Sequence, residues 1–142
     1  MNYIKLAEQL SQLPEGVSAE NRQLRITAIL ALAASMAVPM AGTELTAQAQ
    51  EGYFYDNAEP LRKQLFALNE TIPFNVDRAV EVAGKIWRKR YNLAFNPLPG
   101  QLLVPLDLVG EFLPEVQDRE ALKIGAEDIG CALTALREGL AG

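Results

Sequence analysis

The sequence predicts an all-α protein: a compact bundle of five or six helices around one central apolar helix at about 18–40. Three observations carry the prediction. Ile26 to Ala41 is apolar except for Thr27, Ser35 and Pro39, and a helix apolar nearly all round belongs at the centre of a bundle. The flanking segments repeat apolar residues at the i, i+3, i+4 spacing of amphipathic helices. Between the last two of these lies a stretch, about 93–116, that holds Pro97, Pro99, Pro105 and Pro114 together with Gly100 and Gly110. It is too rich in proline for one long helix and reads as an extended crossover before the C-terminal helix. The 142 residues fit one helical domain, 1–142, able to bury about two-thirds of its unfolded surface.

Asn2 to Leu13 reads as a short amphipathic helix, with Ile4, Leu6, Leu10 and Leu13 on its apolar side. Pro14-Glu15-Gly16 is a turn. Ser18 then suits the N-cap of the central helix, with Glu20 in the first turn where the helix dipole favours negative charge. Ile26, Ile29, Leu30, Ala33, Met36 and Met40 form its strongest face, and Pro39 bends or ends it. Thr43 to Glu51 is expected as a third helix stopped by Gly52, with Tyr53-Phe54-Tyr55 as an aromatic knot plugging the bundle end. Asn57 caps a fourth helix, Pro60 sits in its first turn, and Ala58, Leu61, Leu65 and Leu68 give its stripe. Asn69 to Pro73 is a loop. Asn75 caps a fifth helix to about Asn92, with Phe74 before it and a core face of Val76, Val80, Ala83, Ile86 or Trp87, and Tyr91. Asp118 caps the last helix, which buries Leu122, Gly125, Ile129, Ala132, Leu133, Leu136 and Leu140 and stops near Glu138 at Gly139. Within the crossover, Pro105 opens a short helix in preference to an edge strand through Leu102, Val104, Leu106 and Leu108.

Composition excludes more than it assigns. Histidine is absent and Cys131 is the only cysteine, which removes Ser-His and Cys-His dyads, His-containing zinc or haem sites and any internal disulfide. No Gly-rich phosphate loop is present. The chain is expected to be non-enzymatic, with no cofactor and no metal. A net charge of −5 disfavours nucleic acid, because phosphate-backbone partners need a dominant positive field. The apolar run is too short and too polar at its flanks for a membrane span. It resembles a secretory signal only in order: Arg22 and Arg25 precede it and Ala47-Gln48-Ala49 follows it. The preceding residues carry Glu8, Glu15 and Glu20 and are helix-patterned, unlike the short basic region that export requires. Cytoplasmic residence is expected, with a virion component as the alternative and export, with a signal-like segment ending near 49, ranked below both.

Two sets of residues stand out as candidate contact sites. The apolar crossover offers Phe95, Leu98, Leu102 and Leu103 as a partner interface. Lys85, Arg88, Lys89 and Arg90 cluster around Trp87 and Tyr91 as a possible patch for an anionic partner, against the simpler reading that these cations complement a helix C-terminus while Trp87 faces the core. Glu111, Glu115, Asp118, Glu120, Glu127 and Asp128 are expected on a solvated face. The expected function is a structural or adaptor subunit acting through protein–protein contacts, as a homo-oligomer or within a larger assembly such as a virion. The alternative is a small regulator that binds nucleic acid or an acidic protein through 85–90.

Overall fold

The computed structural model describes residues 3–39, 45–92, 111–114 and 122–141. Among the described residues five α-helices pack together: α1 (Tyr3–Ser11), α2 (Arg22–Ala37), α3 (Ala47–Asn69), α4 (Val76–Asn92) and α5 (Ala126–Ala141). Among the described residues there is no strand. The central position of α2 follows directly from its composition: every residue from Arg25 to Ala37 is buried. Alanines along α2 keep its surface narrow, which lets α4 and α5, its main neighbours, approach closely. The two hydroxyls inside it are bonded back to the helix, Thr27 Oγ1 donating to the Gln23 carbonyl at 2.8 Å and Ser35 Oγ to the Leu32 carbonyl at 2.7 Å, so neither is left unpaired in the core.

The start of α2 departs from the expected cap. Ser18 is extended but its side chain makes no capping bond, and Ala19–Asn21 form a 3-10 turn leading into the helix. The other end agrees with the proline signal: the helix closes at Ala37 and Pro39 lies just beyond. Three side chains from other helices serve the carbonyls at this end. Arg90 Nη1 donates to Ser35 O at 2.8 Å, Trp87 Nε1 to Val38 O at 3.2 Å and Arg137 Nη2 to Met36 O at 3.4 Å. Burial, and secondarily the neighbouring Arg137 charge, push the Arg90 guanidinium below its ordinary pKa. Orphan carbonyls at a buried helix C-terminus need such donors.

The largest correction concerns α3. Two helices separated at Gly52 and an aromatic knot were expected; one helix runs from Ala47 through Gly52, Tyr53-Phe54-Tyr55 and Pro60 to Asn69. Thr46 caps it by accepting from the Ala49 N–H at 3.2 Å, while Asn57 instead donates to the Tyr53 carbonyl at 2.8 Å within the helix. The reason is a continuous buried stripe of Gln50, Phe54, Ala58, Leu61, Leu65 and Leu68. A mid-helix proline costs about 3 kcal/mol and a glycine about 1 kcal/mol relative to alanine. Burying each large apolar side chain returns about 1.5–3 kcal/mol, so four of them outweigh both breaks.

The remaining elements follow their signals more closely. Asn75 caps α4 as expected, Oδ1 accepting from the Arg78 N–H at 2.9 Å, and Ile86 and Trp87 are both fully buried. Helix α5 begins at Ala126 and continues past Gly139 to Ala141; Leu122 and Ile124 are buried in the turn before it, where Lys123 takes a left-handed conformation (φ 48°). Leu140, half-buried, packs on the core, which holds the last turn on past the glycine. The Asp118 cap and most of the crossover lie outside the described residues. At its end Leu113 is buried and Phe112 packs on the core.

Candidate functional site

Phe95, Leu98, Leu102 and Leu103, the expected partner interface, lie outside the described residues. The expected basic patch is divided. Arg90 turns inward and is buried against the end of α2, while Lys85, Arg88 and Lys89 gather with Asn92 and Phe112 around a shallow hollow of about 220 Å³. Each exposed cation there faces a carboxylate: Lys85 with Glu81 at 3.2 Å, Arg88 with Glu51 at 4.0 Å and Lys89 with Glu111 at 3.3 Å. Trp87, fully buried, is stacked between Tyr53 and Tyr91, with ring centroids 5.4 and 5.3 Å away. It is therefore an internal anchor for α3 and α4, as the simpler reading of the cluster expected.

One carboxylate assigned to the solvated face is structural. Asp128 Oδ2 accepts from Arg25 Nη2 at 2.8 Å, and its Oδ1 accepts from Gln9 Nε2 at 3.3 Å. Arg25, 2% exposed, also donates to the Leu122 and Lys123 carbonyls at 2.8 and 3.3 Å. The pair ties α1, α2 and α5 together, and this role explains a basic residue on the apolar helix without invoking an export signal. The nominal cleavage triplet, 47–49, forms the first turn of α3.

A cleft of about 480 Å³ opens between α1 and α5, lined by Lys5, Leu6, Glu127, Cys131, Thr134 and Glu138 among others. Burial, then Asp128 and Glu127, push the Cys131 thiol above its ordinary pKa, which suppresses the reactive thiolate. Among the described residues no group of three or more His, Cys, Asp or Glu side chains is placed to hold a metal ion, and no helix is long and apolar enough to cross a membrane.

Apart from Ile4 on α1, the exposed large apolar side chains among the described residues both lie on α3, where Phe66 went unread in the sequence and Tyr55 was expected to plug the bundle end. Tyr55 and Phe66, 42% and 41% exposed, lie on the flank of α3 beside α4, roughly 120° round the helix from its buried stripe. At about 100° per residue, Tyr55, Glu59, Arg62 and Phe66 fall within an arc of roughly 60°. The Arg62 guanidinium lies 5.0 Å from the Phe66 ring centroid, and its Nη2 is 3.2 Å from Asp77 Oδ1 on α4. Tyr55 packs edge-on against Phe54, centroids 5.4 Å apart; partial burial, then Glu51 and Glu81, raise its hydroxyl pKa, so it remains a neutral hydrogen-bond donor. The available signal was an aromatic residue out of phase with the 54-58-61-65-68 stripe, and it becomes legible only when α3 is read as one helix. Comparison with known proteins finds no match to this chain among family models, curated proteins or solved structures.

Proposed function

We propose that the protein is a non-enzymatic structural or adaptor subunit that acts through protein–protein contacts, with this exposed flank of α3 as its contact surface. The observation that carries this reading is the alignment of Tyr55, Arg62 and Phe66 on a side of α3 that its own core leaves exposed. Aromatic residues and arginine are the types enriched at protein interfaces and at their energetic centres. They offer large contact area without the lysine-rich character of an ordinary solvated helix face. The lack of histidine and the raised thiol pKa of Cys131 support a binding role over a catalytic one. The basic cluster supports a nucleic-acid role poorly, because its exposed cations face carboxylates and the chain is acidic overall. A cytoplasmic or virion setting suits a chain whose single cysteine cannot form an internal disulfide.

The test is the size of the native particle. In extracts of the natural host, the chain is expected to migrate in a complex larger than its own 15.6 kDa. Changing Tyr55 and Phe66 together to serine should release it. A chain that migrates as a monomer in both forms would overturn the reading.

A further inference from the structure

The face of α3 has an order as well as a composition. Reading along the helix, the exposed residues come as aromatic, acid, base, aromatic: Tyr55, Glu59, Arg62, Phe66. Their spacing alternates four, three and four residues, the repeat by which helices pair along a seam. The pattern is centred on the Pro60–Leu61 peptide bond. Glu59 and Arg62 flank it at equal distance, and Tyr55 and Phe66 lie five residues beyond Pro60 and Leu61 respectively.

We infer that a second copy of this chain docks on this face, α3 against α3, antiparallel about a twofold axis beside the Pro60–Leu61 bond. The inference rests on the reading of the chain as an assembly subunit, and it names the partner. Reversing the order and laying it on itself places Glu59 opposite Arg62 of the partner subunit, and Tyr55 opposite Phe66 of the partner subunit. Symmetry makes each pair twice. A twofold contact must be self-complementary in this way, whereas a parallel alignment would set like charges against each other. The existing bond from Arg62 to Asp77 does not compete strongly. Its side chains are 46% and 75% exposed, and such surface pairs are worth about 0–1 kcal/mol. The cation–π contact with Phe66 meanwhile holds Arg62 along the seam. A single pair of helices lies at the small end of stable interfaces, near or below about 1,200 Å² in total, so the dimer forms reversibly and its population rises with concentration.

Charge reversal tests both the face and the register. Sedimentation of the purified chain across a roughly hundredfold concentration range is expected to show a monomer–dimer equilibrium. Glu59→Arg and Arg62→Glu, each alone, place like charges opposite one another twice and should weaken it by about tenfold or more, equivalent to about 1.4 kcal/mol. The double reversal restores the pairing and should recover the dimer. Mixing the two single variants should give a heterodimer, since one face is then doubly basic and the other doubly acidic. All four positions are exposed, so far-ultraviolet circular dichroism should be unchanged. A wild-type chain that stays monomeric throughout, or a dimer indifferent to the reversals, overturns the inference. The host-extract experiment decides the assembly reading separately: a large particle there with a purified monomer means a different partner, and only the choice of partner fails.

Discussion

Asp128 shows how one side chain can matter more than its surface charge suggests. It sits in the first turn of α5, where helix-dipole arguments place a carboxylate without further purpose. Its actual partner, Arg25, is almost completely buried, and Arg25 Nη1 has no hydrogen-bond partner among the described residues. Removing Asp128 would leave a buried cation held only by two backbone carbonyls. Losing one member of a buried pair costs about 3–5 kcal/mol, and the 17% exposure of Asp128 moves the expectation toward the lower figure. Asp128→Ala should therefore lower stability by about 3 kcal/mol in urea unfolding followed by Trp87 fluorescence. Asp77→Ala, which breaks the exposed pair with Arg62, should cost less than about 1 kcal/mol. Equal effects would mean that the Arg25 pair is not buried in solution.

At the scale of the element, α3 and α4 are joined by close approach at a glycine. A Cβ added at Gly84 would lie 3.1 and 3.2 Å from Phe54 ring atoms and 3.5 Å from the Tyr55 hydroxyl. Phe54 is 1% exposed and is backed by Trp87, with centroids 5.9 Å apart, so it has little room to yield. In an unconstrained helix, glycine to alanine gains about 0.5–1 kcal/mol. At Gly84 overpacking of about 1–3 kcal/mol should reverse that sign. Gly52 provides the internal control because its surroundings are open. Gly52→Ala is expected to raise the thermal midpoint and Gly84→Ala to lower it; a rise in both would show that the two helices are less tightly packed than the distances imply. The same pair explains why the continuity of α3 is hidden in the sequence. Gly52 and Pro60 are genuine local penalties, but local penalties are small against a buried stripe that spans them. The candidate contact face is hidden for the same reason, since Tyr55 and Phe66 share a side only if the helix is continuous.

For the whole molecule, the sequence was most informative where one segment decides many contacts. The apolar run announced a central helix, and Asn75, Pro39 and the α4 periodicity marked their places, because each acts over one or two turns. Arg25 could not be read that way: its acceptors Leu122 and Asp128 are 97 and 103 residues distant, and nothing local distinguishes it from Arg22. Centrality has a consequence for dynamics. Helix α2 is flanked chiefly by α4 and α5, and the carbonyls at its C-terminal end are bonded by Arg90, Trp87 and Arg137. Its amides can reach solvent only when those neighbours leave. Such segments exchange hydrogen through global unfolding, whereas peripheral elements open at lower free energy. The amides of Ile29 to Ala37 should therefore exchange with an opening free energy equal to that of denaturant unfolding, and with the same denaturant dependence. Helix α1, whose Ile4 is 64% exposed, should exchange by a smaller, nearly denaturant-independent opening. If α2 exchanged as readily as α1, the centre of the bundle would be accessible to water without unfolding, and its buried residues would not form the core.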